Sequence, residues 1–154
     1  MATAVQPAPS PVSVPIDVLH SGDRMTREEF HSIYETLPEK VKAELIGGIV
    51  YMASPLSLRH ATSHPPLTTV FFVYTCRTFG TEVGDNGTIL LGEESEPQPD
   101  LYLRILPEFG GQSQSEVHGE NEYVAGAPEM VAEIAHSSRA IDLHGKKDDY
   151  ARHG

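Results

Sequence analysis

The stretch EPQPDLYLRI, residues 96–105, sets a carboxylate, Asp100, at the mouth of an alternating run. Leu101, Leu103 and Ile105 fall on one face of the implied strand, and Asp100, Tyr102 and Arg104 fall on the other. A carboxylate in that place is either a plain solvated residue or a cation ligand. Two further acids stand beside apolar runs instead of inside charge runs: Glu44 and Glu133. Glu133 is flanked by Met130, Val131, Ala132, Ile134 and Ala135, so its backbone belongs in the interior. A buried carboxylate is costly unless a metal or a counter-charge offsets it. Its two readings are a metal ligand and a salt bridge to Lys146 or Arg139. Glu44, taken alone, reads as an exposed acid at the start of a strand.

Other reactive residues point less far. His60 and His64 are four apart and can share a helical face. Zinc enzymes of that spacing carry a glutamate between the histidines, whereas Ala61, Thr62 and Ser63 intervene here, which argues against zinc. His136, Ser137, Ser138 and Asp142 have the residue types of a hydrolase triad, but they are crowded in sequence and no G-x-S-x-G elbow is present. Neither a Walker loop nor a dinucleotide fingerprint occurs.

The elements that must position these side chains can be read from periodicity. MTREEFHSIYETLP reads as a helix, with Thr26 and Glu29 spaced as a capping box and Phe30, Ile33, Tyr34 and Leu37 on one face. AELIGGIVYMASP reads as a hairpin turning at Gly47-Gly48. HPPLTTVFFVYTCRTFG reads as a buried helix opened by Pro65 and Pro66 and ending near Gly80. TILL and DLYLRI are expected to pair as a hairpin through the acidic stretch 92–99. Residues 107–129 read as a polar loop with a short strand near Glu122–Val124. EMVAEIA reads as a buried strand with Val131, Glu133 and Ala135 on one face. SSRAIDLHGKKDDYARHG reads as a closing helix that lines up Lys146, Tyr150 and His153 and stops at Gly154.

The chain of 154 residues is the size of one domain, with residues 1–17 expected as a disordered proline-rich tail and 18–154 as the folded part. No apolar run reaches the roughly 18 residues of a membrane span. Cys76 is the sole cysteine, which excludes a disulfide framework and fits a reducing cytoplasm. The net charge is −11, and the segment from Glu82 to Glu133 holds twelve acids against one base, Arg104. Such a surface is a poor general binder of nucleic acid, whose affinity rests on Lys and Arg. Arg139, Lys146, Lys147 and Arg152 form the one local basic patch the sequence suggests. Helices and strands mixed in this order argue for an α/β or α+β fold.

ELIGGIVYMASP, His60, EPQPDLYLRI, GAPEMVAEIAHSS and IDLHGKKDDY, in that order, resemble the Uma-type restriction endonuclease domain. This is a bacterial branch of the PD-(D/E)XK nuclease superfamily, and the resemblance covers about Met25 to Gly154. It implies a restriction-endonuclease-like mixed sheet flanked by helices, with Asp100 and Glu133 on adjacent strands. Their carboxylates would lie on the order of 4–6 Å apart and share one divalent cation, Mg²⁺ or Mn²⁺. Pro99-Asp100 matches the first acid, Glu133 the second, and Glu44 an auxiliary metal ligand. The lysine usual two residues after the second acid is replaced by Ala135. The resemblance moves that role to Lys146, with Lys147 as fallback and Tyr150 one turn on. It makes His60 and Arg139 phosphate contacts. Lys146 is expected to point to the acids and Lys147 to solvent.

The activity implied is metal-dependent hydrolysis of phosphodiester bonds, with nucleic acid, DNA first, as partner and no membrane. Homodimer formation is left open. The alternative is a non-catalytic or truncated nuclease-fold remnant serving as a binding module. Relatives continue past Gly154 with a further strand, so the expected domain is C-terminally incomplete and weakly active or inactive alone.

Overall fold

The computed structural model describes residues 18–134 and 145–154. The expected tail at 1–17, and the expectations resting on Ala135, His136, Ser137, Ser138, Arg139 and Asp142, lie outside the described residues. The rest is a mixed α/β arrangement, and among the described residues no helix is long and apolar enough to cross a membrane.

Helix α1 (Arg27–Tyr34) starts at the expected capping box: Thr26 accepts from the Glu29 amide, and the Glu29 side chain reaches back to the Thr26 amide. Its apolar face packs Phe30, with Ile33, Tyr34 and Leu37, on Leu19, Ala43, Leu45 and Val50. Strands β1 (Ala43–Ile46) and β2 (Ile49–Met52) form the hairpin at Gly47-Gly48. Both glycines have positive φ, 55° and 76°, which a two-residue turn of this hand requires.

Helix α2 (Leu58–Thr75) begins seven residues before Pro65, so the two prolines lie inside it instead of opening it. Ser57 supplies the N-cap, its hydroxyl accepting from the His60 amide at 3.2 Å. The earlier start brings His60 and His64 onto the first two turns. A strand that the sequence hides follows, β3 (Thr81–Asp85). Its run TEVGD carries two acids and a glycine, so its own composition reads as loop.

β3 pairs antiparallel with β5 (Leu101–Ile105), which pairs antiparallel with β8 (Met130–Ala132). β8 is shorter and less buried than expected, and Met130 is half exposed. The second three-stranded sheet has the order β4-β7-β6, from β4 (Ile89–Leu90), β6 (Gln114–His118) and β7 (Asn121–Ala125). Within 107–129 the short strand expected near 122–124 is present as β7, and the expected loop ahead of it supplies a second strand, β6, that pairs with it as a hairpin.

The expected hairpin of TILL with DLYLRI does not form. β4 pairs parallel with β7, and its other edge bonds the chain just downstream: the Ile89 amide donates to Pro97 O and the Leu91 amide to Ser95 O. Glu96 in turn exchanges both backbone hydrogen bonds with Leu45 of β1. Pro97 and Pro99 explain the break, because neither can donate to a continuing ladder. Residues 94–97 thus tie the β1–β2 hairpin to the β4 sheet, and the chain turns at Pro99 before entering β5.

Tyr102 lies across β3, and a Cβ on Gly84 would come within 2.0 Å of its ring. Gly84→Ala is therefore expected to destabilise the fold by about 1–3 kcal/mol, read as a lower midpoint in urea unfolding.

Candidate active site

Three elements deliver the acids that the sequence singles out. In β1, Ala43 and Leu45 are fully buried in the core, so alternation turns Glu44 to the opposite face. Asp100 immediately precedes β5, and Glu133 immediately follows β8. The β5–β8 register, Leu101 with Ala132 and Tyr102 with Val131, runs one step further to bring Asp100 opposite Glu133. The backbone is closed there by a side chain: the Ile134 amide donates to Asp100 Oδ2 at 2.6 Å.

Helix α3 (Lys147–His153) supplies the cation from its N-terminal edge. Lys146 is only 5% exposed. Its Nζ lies 2.7 Å from Glu44 Oε1 and 3.0 Å from Glu133 Oε1. One turn on, the Tyr150 hydroxyl donates to the same Glu133 oxygen at 3.0 Å. Lys147 faces solvent. Lys146 is thus the inward lysine, and the salt-bridge reading of Glu133 is the geometry seen. Because Lys146 is buried, it does not join Lys147 and Arg152 as an exposed basic patch. Glu44 is not the exposed strand-start acid expected, since its side chain is mostly covered and its Oε1 also accepts from the Gln98 amide at 2.7 Å.

Asp100 has a second neighbour in α2. His60 Nε2 is 3.2 Å from Asp100 Oδ1. His64 Nε2 donates to the Asp100 carbonyl at 3.1 Å and lies 3.7 Å from Asp85 Oδ1. The two imidazoles stack with centroids 5.7 Å apart. His60 therefore braces a carboxylate. His64 and Gln98 were not singled out as site residues. The four-residue spacing of the histidines was the available signal for His64. Gln98 gave none, because its role runs through its backbone amide.

The electrostatics follow from burial. Removal from water pushes the Glu133 carboxyl up to about 7, with Glu44 adding to the rise and Lys146 and Tyr150 opposing it. Burial alone would lower the Lys146 pKa, but the carboxylates of Glu44 and Glu133 outweigh it and hold the ammonium above its ordinary value. The acids are hard oxygen donors of the kind Mg²⁺ and Mn²⁺ take. Among the described residues, however, no three acids, histidines or cysteines are gathered as a ready metal cage. The Lys146 ammonium is the charge that holds Glu44 and Glu133 together.

Residues 27–154 match the Uma2 family, described as "Putative restriction endonuclease". The match spans most of the chain, which belongs to this family. Its fold is accordingly restriction-endonuclease-like, of the PD-(D/E)XK type. Membership carries a nuclease-like function and a nucleic-acid substrate, and restriction-endonuclease-like proteins generally use divalent metals. A search of the curated proteins gave no match.

Two substitutions test the charge balance. Lys146→Met leaves two covered carboxylates facing each other and is expected to cost roughly 3–5 kcal/mol in urea unfolding. For Glu133, a folded pKa of about 7 lies above the ordinary 4.5, so the folded state binds the proton more tightly. That stabilisation is fully present below pH 4.5 and is lost as pH rises through 7. Glu133→Gln cannot ionise, so its stability should fall less across that window, by on the order of 2–3 kcal/mol, when the two proteins are unfolded in parallel at each pH.

Proposed function

We propose that this Uma2 member is a divalent-metal-dependent endonuclease that hydrolyses phosphodiester bonds in nucleic acid, with DNA as the first substrate to test. The observation that carries the reading is the meeting of three elements: Asp100 and Glu133 at matched ends of paired strands, with Lys146 brought to Glu133 by α3. The single Cys76 fits a reducing compartment, and the cytoplasm is the proposed location.

In this reading Asp100 and Glu133 hold Mg²⁺ or Mn²⁺, with Glu44 as auxiliary ligand; when bound, the ion polarises a phosphoryl oxygen and makes water a stronger nucleophile. The chain's own residues do the rest. His60 and the Ile134 amide fix the Asp100 carboxylate from two sides. Tyr150 fixes Glu133. In the same reading Lys146 is the positive charge that would offset the negative charge developing on a pentavalent phosphorus. His60 is also placed to meet a phosphate beside Asp100.

A second reading, a nuclease-fold binding module without catalysis, draws on the same ion pair. In it Lys146 serves only to close Glu44 against Glu133. The test is to assay the purified chain with Mg²⁺ or Mn²⁺ on single- and double-stranded DNA and on RNA, beside Asp100→Ala and Glu133→Ala. Metal-dependent cleavage, however slow, that falls at least about a hundredfold in both variants is the expected result. Cleavage unchanged by both substitutions, or no cleavage together with no Mn²⁺ binding by electron paramagnetic resonance, would refute the nuclease reading.

A further inference from the structure

A second group of ionisable side chains lies apart from Asp100, Glu133 and Lys146, where α1, the segment 94–97 and the β6–β7 hairpin meet. Glu96 is fully buried, and His31 is only 6% exposed. His31 Nδ1 is 2.9 Å from Glu96 Oε1, and its Nε2 is 3.5 Å from Oε1 of Glu35, four residues on. The rings of His118 in β6 and Tyr123 in β7 meet the His31 ring edge-on, with centroids 4.8 and 5.0 Å away. His118 Nε2 is 2.6 Å from Glu116 Oε1, and the Tyr123 hydroxyl donates to Glu35 Oε1 at 3.2 Å. Arg27, at the start of α1, adds a weaker positive charge toward Glu96.

This polar group joins two separate apolar clusters. Phe30 of α1 belongs to one and Val124 of β7 to the other. Between them, the Tyr123–Glu35 bond and the ring contacts of His31 tie α1 to the hairpin. Among the described residues, His31 Nε2 and Glu96 Oε2 have no hydrogen-bond partner. Charge and ring packing therefore hold the group more than a closed hydrogen-bond network does.

That charge depends on protons. Glu35, Glu96 and Glu116 supply three carboxylates, against the bases Arg27, His31 and His118. The two sets balance only while both imidazoles are protonated. With neutral imidazoles the carboxylates are left with Arg27 alone, and that of Glu96 is cut off from water. Burial also raises the Glu96 pKa, with His31 opposing the rise. A folded value above 4.5 gives stability that is fully present below pH 4.5 and is lost as pH rises through the folded value. Both effects run the same way: rising pH loosens the group.

We infer that this group is a proton-operated clasp, which closes the β6–β7 hairpin on α1 while His31 and His118 are protonated and lets the two part as they become neutral. Parting widens a cleft of about 550 Å³ that Tyr34 and Glu35 line on one side and Asn121 and Tyr123 on the other. Gln98, whose amide binds Glu44, also lines it, so the clasp borders the candidate active site. It does not depend on the nuclease reading.

Aromatic nuclear magnetic resonance spectra of the full chain between pH 5 and 8 test it. The Overhauser contact between the His31 and Tyr123 rings is expected at pH 5. It should weaken at pH 8 as the closed-to-open ratio falls about tenfold, the factor that one unit of proton affinity gives. The contact between the stacked rings of Phe30 and Tyr34, inside α1, should stay unchanged. Glu96→Gln removes the buried charge, and its His31–Tyr123 contact should persist at pH 8. Should that buried variant not fold, Glu35→Gln serves in its place: the position is exposed, the amide oxygen still accepts from Tyr123, and the loss at pH 8 should be at most about half that of the parent. A His31–Tyr123 contact equal at both pH values, a folded variant that loses it as the parent does, or a loss shared by Phe30 and Tyr34 would overturn the proposal.

Discussion

The interaction on which the rest of the molecule turns is a single buried ammonium held between two carboxylates. Lys146, from the edge of α3, meets Glu44 of β1 and Glu133 at the end of β8. Each carboxylate is mostly withdrawn from water, and the two would repel without the lysine. Removing Lys146 leaves uncompensated carboxylates in a covered place, which costs more than an intact pair contributes. The trio therefore fixes three distant segments of chain relative to one another more firmly than its net stabilisation suggests. Tyr150 adds a second bond from α3 to the same glutamate oxygen, so the helix is held by two successive turns.

The same geometry sets the chemistry available. Glu133 is drawn in two directions: burial favours its neutral form, while Lys146 and Tyr150 favour the carboxylate. With no cation bound, such a group changes protonation near neutral pH. Asp100 is fixed differently, by a backbone amide on one oxygen and His60 beside the other. Two acids at one register position are thus given unequal surroundings. A cation entering between them meets a site in which Lys146 already supplies positive charge to Glu44 and Glu133.

The EPQP segment joins this site to the core. Glu96 is fully buried, pairs with Leu45 through its backbone and places its carboxylate 2.9 Å from His31 Nδ1. Two residues later the Gln98 amide binds Glu44, and two beyond that lies Asp100. Burial raises the Glu96 pKa, with His31 opposing the rise. A stretch that reads as an acidic loop is therefore a buried tie between two sheets. Its prolines stop it from pairing with β5 and turn Asp100 toward α2 and β8.

Local chemistry sufficed for the capping box at Thr26, the Gly47-Gly48 turn, the apolar face of α1 and the strand beginning at Leu101. Each depends on residues a few positions apart, so each is written in one window of sequence. Five ordered motifs sufficed to set Asp100, Glu133, Lys146, Glu44, His60 and Tyr150 apart from the other polar residues. The sequence did not contain the start of α2, because the cap at Ser57 and the prolines at 65 and 66 compete and only packing decides between them. It did not contain β3 either, since TEVGD becomes a strand only when β5 lies beside it and Arg104 reaches Glu82 at 2.6 Å. The pairing of β4 with β7, the turn of Glu44 from exposed acid to Lys146 partner, and the approach of His60 to Asp100 likewise join segments tens of residues apart. Such contacts leave no local period in the chain; they arise when burying apolar faces brings distant charges out of water and each must find a partner.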